Sequence, residues 1–111
     1  MQNKWMGLVL LSVVASVADA GEQAGKVEKL VARDSDGLVY MTMSGIPSGK
    51  PACAKNSYWM IKNENSESGK RQFAVLTAAM MAGKTVRVSG GNTCLRWSDG
   101  EDINWIMVEA N

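Results

Sequence analysis

Five short apolar-rich stretches with the patterning of β-strands surround one stretch with helical spacing. The strand-like stretches cover residues 27–33, 38–44, 58–62, 84–89 and 103–109, and successive side chains on a strand point to opposite faces. Residues 69–82 instead carry small and apolar residues at spacings of three and four, which predicts a helix between the third and fourth strands. The predicted order is β-β-β-α-β-β.

The first two strands are joined by the sequence Asp34-Ser35-Asp36-Gly37. Asp-Gly between two strand-like runs predicts an antiparallel hairpin, because both residues tolerate the positive φ that a tight turn requires. On the second strand we expect Val39, Met41 and Met43 to face the core. The turn also has the opening of a calcium-binding loop, but the twelfth loop position would be Gly45, which has no carboxylate.

The predicted helix has recognisable ends. Ser66 or Ser68 can cap its first turn, since a serine hydroxyl accepts a hydrogen bond from a free amide of that turn. Gly83 follows the last helical residue, where a left-handed residue is favoured. One stripe of side chains is predicted to pack into the core, with Leu76 near its centre. The stripe consists of Phe73, Leu76, Thr77 and Met80.

This order of strands and helix predicts an OB-fold-like domain. Such a domain is a small α+β barrel of five strands, and its helix lies between strands three and four and closes one end. Val86 and Val88 on the fourth strand would then face the interior. A small mixed α+β sandwich with the same order of elements is the alternative.

The remaining surface of the helix carries few polar side chains that could hydrogen-bond with water. Its outer flank consists of Val75, Ala78, Met81 and Ala82. An alanine-rich helix is stable in water, so a plainly exposed flank is one interpretation. The other is that these four residues contact a neighbouring subunit of a homo-oligomer.

Two cations lie in the first turn of the predicted helix. The helix dipole disfavours Lys70 and Arg71 at this position unless an anion is nearby. The pair is therefore a candidate ligand-binding site for a carboxylate or sulfate. Solvated side chains without a ligand are the alternative.

The first twenty residues have the pattern of a secretory signal peptide. Lys4 gives a positive start, residues 6–17 are apolar, and Ala18-Asp19-Ala20 is a small-x-small cleavage site. The apolar run is shorter than the roughly 18 to 20 residues that span a membrane, and a retained anchor is the alternative. We predict a signal peptide over residues 1–20 and a single domain over residues 21–111, exported to the periplasm or secreted.

Composition narrows the chemistry of the domain. The chain contains two cysteines, Cys53 and Cys94, and no histidine. In an exported domain this pair predicts a disulfide, whereas a zinc site would lack its usual ligands. With no histidine and both cysteines bonded, we expect no enzyme, no metal and no other cofactor. The acidic group Asp99, Glu101 and Asp102 is predicted to lie in a solvated turn.

The distribution of charge makes nucleic acid an unexpected partner. The formal net charge is +1, and basic residues are scattered among a nearly equal number of acids rather than gathered on one face. No stretch after residue 20 has the length and apolarity of a transmembrane segment.

Three tryptophans of the predicted domain are candidates for core or binding positions. Trp59 and Trp105 lie within apolar strands, so we expect both in the core. Trp97 lies in a polar loop near Cys94 and is the candidate ligand-binding residue, because an exposed indole can stack on a sugar ring or an aromatic partner. A Trp97 side chain folded over the rim of the barrel as core is the alternative.

Several segments together resemble a known family. The resemblance rests on the segments GKVEKLVARDSDGLVYMTM, PACAKNSYWMI, FAVLTAAMMAGKTVRVSGGNTC and INWIMVE. They are similar to small exported proteins of Gram-negative bacteria that look like the B-subunit of subtilase-type AB5 toxins. The resemblance implies an OB-fold, a disulfide and a ring of subunits that binds cell-surface glycans. It carries no glycan-contact motif onto individual residues.

Two classes of function follow from these observations. The first is a secreted or periplasmic binding module that forms an oligomer and recognises a glycan. The second is a monomeric interaction protein of the envelope, such as an inhibitor or accessory factor that binds another protein through its loops. Packing of the helix flank against another subunit would favour the first class.

Overall fold

The computed structural model describes residues 20–111 of the chain. The predicted signal peptide, apart from Ala20, lies outside the described residues. Six strands and one helix follow one another in the order β-β-β-β-α-β-β. They are β1 Glu22–Gly25, β2 Val27–Ala32, β3 Val39–Met43, β4 Trp59–Met60, α1 Glu67–Ala82, β5 Thr85–Gly90 and β6 Glu101–Glu109.

All six strands belong to one sheet with the order β1-β5-β6-β4-β3-β2. Neighbouring strands are antiparallel except β4 and β6, which are parallel. The two edge strands, β1 and β2, are consecutive in the chain and are separated only by Lys26. Within residues 20–111 these two strands do not pair with each other, so the protein is a small six-stranded α+β fold whose sheet is not closed into a barrel.

The predicted hairpin and helix ends are confirmed. β2 and β3 pair antiparallel, and Gly37 adopts a φ of 78° in the turn between them. The hydroxyl of Ser66 accepts a hydrogen bond from the Gly69 amide at 3.0 Å, which makes Ser66 the N-cap. Gly83 ends the helix in the left-handed conformation with a φ of 65°.

Strand β1 was not predicted from the sequence, and it raises the number of strands from five to six. The residues of β1 are Glu, Gln, Ala and Gly, which lack the apolar alternation of a strand. Gln23 is nevertheless buried, and its side-chain amide is fully used. Its Nε2 donates to backbone carbonyls of β3 and the following turn, and its Oε1 accepts from Trp59 Nε1 at 2.8 Å. Tertiary hydrogen bonds therefore define β1.

The predicted inward residues of β3 and β5 are confirmed. The core contains the side chains of Val39, Met41, Met43, Val86 and Val88. Trp59 is also fully buried, as expected. Leu76 and Ala79 of the helix belong to the same buried cluster, so the core lies between the sheet and the helix.

The predicted core stripe of the helix is correct at Leu76 and wrong at its other three positions. Leu76 is fully buried, but Phe73 and Met80 are each 38% exposed and Thr77 is exposed, while Ala79 is buried. The reason lies at the helix start, where a Cβ on Gly69 would be 1.9 Å from the Asn63 carbonyl oxygen. This close contact turns the face that carries Gly69, Leu76 and Ala79 towards the protein interior.

The prediction that Trp105 lies in the core is also wrong, because Trp105 is 40% exposed. The pairing of β5 with β6 shifts at this point: Gly90 pairs with Ile103, whereas Ser89 pairs with Trp105. The extra residue on β6 is a β-bulge, which changes the phase of side chains along a strand. Ile106 consequently packs against the core, and Trp105 points to solvent.

Candidate functional site

Four side chains from separate parts of the chain form an aromatic groove. Arg33 follows β2, Tyr40 lies on the outer face of β3, Tyr58 precedes β4, and Trp97 comes from the loop between β5 and β6. The groove has a volume of about 160 Å³, and Leu38 and Met60 complete its floor. We call these residues the Trp97 groove.

The rings of Tyr40 and Tyr58 are tilted against each other rather than stacked flat. The ring centroids of Tyr40 and Tyr58 lie 5.4 Å apart at an interplanar angle of 60°. The Arg33 guanidinium carbon lies 4.8 Å from the centroid of the Trp97 ring, within the range of a cation–π contact. Trp97 is 37% exposed, so part of its indole remains open to a ligand.

Polar groups line the rim of the groove. The Tyr58 hydroxyl donates to Asp99 Oδ1, and Asn56 Nδ2 donates to Asp99 Oδ2 at 2.9 Å. On the other side, Arg33 Nε donates to Asp36 Oδ1 at 3.1 Å, and the two side chains form an ion pair. The rim therefore presents amide, carboxylate and guanidinium groups around an apolar floor.

The same contacts fix the protonation states on the rim. Burial, followed by the hydrogen bond to Asp99, raises the pKa of Tyr58. The hydrogen bond from Arg33 lowers the pKa of Asp36 to about 2. At neutral pH Tyr58 is thus a neutral phenol, and Asp36 is an anion paired with Arg33.

The loop that carries Trp97 is held by the predicted disulfide. Cys53 and Cys94 are bonded, their Cα atoms lie 6.2 Å apart, and the bridge spans 41 residues. Within the loop, the Gly100 amide donates to the Trp97 carbonyl oxygen at 3.3 Å. Trp97 therefore projects from a segment that is closed by a covalent bridge and an internal backbone contact.

A second set of contacts attaches this loop to the β2–β3 turn. Arg96 donates through Nε to Glu64 Oε1 at 2.9 Å and through an Nη atom to the Asp36 carbonyl oxygen at 2.9 Å. The hydrogen bonds from Arg96 lower the pKa of Glu64. Since Asp36 also binds Arg33, these contacts fix Trp97 and Arg33 in the same local framework.

The acidic group next to the loop is not the solvated turn that the sequence indicates. Glu101 and Asp102 are both fully buried at the start of β6, while Asp99 is half-buried at the groove rim. Asp102 accepts hydrogen bonds from the Thr93 hydroxyl at 2.6 Å and from the Leu95 amide at 2.9 Å. Its carboxylate thereby supplies acceptors that the loop backbone needs.

The other predicted site residues lie elsewhere. Lys70 and Arg71 are exposed in the first turns of α1 and border two different grooves, neither of which contains Trp97. The predicted flank residues Val75, Ala78, Met81 and Ala82 are all exposed, and Met81 is 83% exposed. The structure brings none of the six to the Trp97 groove.

Three groove residues were not among the predicted ligand-binding residues. Tyr40 carries the clearest signal, because it is a large aromatic side chain at an outward position between Val39 and Met41. Tyr58 and Arg33 carry no comparable signal, because each becomes part of the groove only through the fold.

Comparison with known proteins does not place the chain in a family. A scan against protein-family models finds no match, and a search of curated proteins finds none either. Over residues 20–111, no helix is long and apolar enough to cross a membrane. The same part of the chain contains no group of three or more Cys, His, Asp or Glu side chains placed to hold a metal ion.

Proposed function

We propose that this protein is an exported, non-enzymatic binding module and that the Trp97 groove receives a glycan. The supporting observation is an exposed indole beside two tyrosine rings, with amide, carboxylate and guanidinium groups on the rim. The apolar face of a sugar ring stacks on an indole, while its hydroxyls require such polar partners. Asp99 and Asn56 would accept from and donate to these hydroxyls, and Arg33 would donate to a carboxylate or ring oxygen.

The finer fold that we propose is that of an OB-fold-like, partly open barrel. Two features support it: the parallel pairing of β4 with β6, and the single residue Lys26 that links the two edge strands. A chain segment that runs from one edge of a sheet directly into the other brings those edges near each other. The resemblance to the B-subunit of subtilase-type AB5 toxins is consistent with this arrangement and with a glycan as ligand.

The export of the protein is part of the same proposal. The leader-like sequence before Gly21 and the disulfide between Cys53 and Cys94 both fit an oxidising compartment. A disulfide in a small domain compensates for a modest core, which an exported protein of this size needs.

Binding at the groove is tested by comparing two exposed tryptophans. We expect Trp97→Ala to weaken binding at least tenfold on a glycan array and in calorimetric titration, since stacked aromatic anchors dominate such contacts. Trp105→Ala is the matched control in the calorimetric titration with a monovalent glycan, because Trp105 is similarly exposed, lies outside the groove, and borders a subunit contact on which one-site binding does not depend. Equal losses in both variants, or an array without any bound glycan, would contradict the proposed site.

We further propose that the flank of α1 contacts a second copy of the chain. Val75 and the exposed Trp105 border one apolar groove, so the uncharged flank continues onto β6. An exposed apolar area shared by a helix and a strand is typical of a subunit contact. A flank that faces water would instead favour the monomeric envelope interaction protein.

Sedimentation distinguishes an oligomer with this subunit contact from a monomer with an exposed flank. We expect the parent protein to sediment as an oligomer and Ala78→Glu to sediment as a folded monomer, because the new charge lies within the contact and on an exposed position of the helix rather than on the buried face that carries Leu76. Ser35→Glu, in the exposed β2–β3 turn, is the control for added charge. Glycan binding that depends on multivalency should fall about 100-fold with Ala78→Glu. A parent protein that remains monomeric at high concentration rules out the subunit contact.

A further inference from the structure

One buried carboxylate has an oxygen without a partner. Glu101 is fully buried, and its Oε2 accepts from the Gly21 amide at 3.1 Å and from the Asn92 amide at 2.9 Å. Its Oε1 has no hydrogen-bond partner among residues 20–111. A buried polar atom without a donor is destabilising, so native proteins seldom retain one without a reason.

The unpartnered oxygen lies directly beside Gly21. A Cβ built on Gly21 would lie only 2.4 Å from Oε1, and a Cβ on Gly90 would lie 2.0 Å from Oε2. The carboxylate is thus enclosed by two glycine backbones. The Gly21 nitrogen lies 3.1 Å from Oε2, and the Cβ position on the adjoining Cα lies next to Oε1, so a group on this nitrogen lies beside the carboxylate.

Lys50 lies close enough to Glu101 for the two charges to interact, but its ammonium is occupied elsewhere. Its Nζ donates to the Tyr58 carbonyl oxygen at 3.1 Å and lies 3.6 Å from the centroid of the Trp59 ring. Burial lowers the pKa of Lys50 to about 8, and the attraction of Glu101 only partly opposes this effect. Lys50 therefore leaves the unpartnered oxygen of Glu101 without a donor.

We propose that Glu101 is the receptor for the new N-terminus that export processing creates at Gly21. This inference rests on the leader cleavage that is part of the proposed function, and not on glycan binding. Hydrolysis of the Ala20–Gly21 peptide bond consumes one water and leaves a carboxylate on Ala20 and an amine on Gly21. An α-amine has a pKa of roughly 7.7 to 8.0, so it takes up a proton at neutral pH.

The processed nitrogen supplies the hydrogen-bond donor that Glu101 Oε1 lacks. The backbone amide of Gly21 has one hydrogen to donate, and it is used on Oε2. The α-ammonium has three, so it keeps this bond and supplies a donor for Oε1. It also brings a positive charge to a buried carboxylate, and a buried charge that is paired and hydrogen-bonded is far more stable than one that is not. Cleavage thus provides both the hydrogen bond and the positive charge that Glu101 lacks in the folded domain.

The N-terminus of the exported protein is the first measurement. The full chain is expressed with its own leader, and the mass of the purified product is determined intact. We expect a chain that begins at Gly21. A product that begins at another residue would overturn the inference even if the same protein bound a glycan.

The ion pair is then tested by removing only the charge. The α-amine of the purified protein is selectively acetylated in denaturant near pH 6.5, and the protein is refolded. Acetylation restores an amide on Gly21, which is the uncharged arrangement of the intact chain. At pH 6 we expect the unfolding equilibrium constant of the acetylated protein to be at least about tenfold larger.

The pH dependence of this difference has a defined sign. An amine whose pKa is raised by Glu101 in the folded state stabilises the protein fully below its unfolded pKa, and this stabilisation is lost as the pH rises through the folded pKa. The difference between free and acetylated protein should therefore be largest near pH 6 and vanish above about pH 10. Lys50 titrates in both forms, so only its coupling to the α-amine through Glu101 enters the difference.

Glu101→Gln provides the matched variant, since it keeps the shape of the side chain and removes its charge. In this variant we expect acetylation to change stability less than twofold. If Glu101→Gln does not fold, the reactivity of the α-amine in the parent protein tests the ion pair instead. Carbamylation by cyanate should be at least tenfold slower in the folded protein than in urea. Equal stability of free and acetylated parent protein at pH 6, or an α-amine that reacts freely in the folded state, would overturn the proposal.

Discussion

Replacing Leu76 with aspartate is expected to leave the chain unfolded under conditions in which Lys70→Ala is as stable as the parent protein. Leu76 is fully buried between the helix and the sheet, whereas Lys70 is exposed in the first turn of α1. Losing the buried leucine side chain alone costs about 2 to 5 kcal/mol. A buried, unpaired carboxylate adds several more, which together approach the 5 to 15 kcal/mol stability of a typical domain.

Thermal unfolding monitored by circular dichroism measures this difference. The parent protein and Lys70→Ala should unfold at the same midpoint, and Leu76→Asp should show no cooperative transition. Equal midpoints for the two variants would mean that the buried face of α1 is misassigned.

Removing the disulfide has the second-largest expected effect. The bridge closes a loop of 41 residues, and the chain-entropy model assigns about 4 kcal/mol to a loop of this length. We therefore expect the double variant Cys53→Ser, Cys94→Ser to lose about 4 kcal/mol of unfolding free energy in urea titrations. Asp102 and Arg96 still hold the Trp97 loop in this variant, so a folded fraction should keep its groove.

Thiol alkylation of the unreduced parent protein is the accompanying control. No free thiol should react, because both cysteines of the chain are bonded. Two alkylatable cysteines, or a double variant that unfolds at the parent's urea midpoint, would contradict the stabilising role of the bridge.

Short-range rules were sufficient for the parts of the fold that depend on neighbouring residues. The turn at Gly37, the cap at Ser66 and the left-handed Gly83 follow from local backbone requirements. The inward positions of β3 and β5 follow from strict alternation along each strand, because the extra residues of the two irregular pairings lie on the partner strands β2 and β6.

The predictions of burial are wrong where contacts between distant parts of the chain determine the structure. The bulge at Ser89 changes the phase of β6, and nothing near Trp105 in the sequence indicates it. Asp102 is buried because the loop amides ahead of it need acceptors, and Glu101 because two glycine backbones enclose it. A cluster of acids beside a glycine otherwise has the composition of a solvated turn.

The candidate site could be predicted only in part for the same reason. Trp97 stands out as an aromatic residue in a polar loop near a cysteine. Its partners Arg33, Tyr40 and Tyr58 come from three other segments, and strand pairing alone brings them together. Lys70 and Arg71 carry a local electrostatic signal, but the fold directs them to separate grooves.

The central claim, that the Trp97 groove is the ligand site, is tested most directly by the indole resonances of the protein without residues 1–20. Its tryptophans Trp59, Trp97 and Trp105 are respectively buried, in the groove and exposed elsewhere, so each reports on a different location. Titration of ¹⁵N-labelled protein with the glycan that binds best on the array should shift the Trp97 indole signal and leave that of Trp105 unchanged. A shift confined to Trp105, or no indole shift at saturating glycan, would contradict the account.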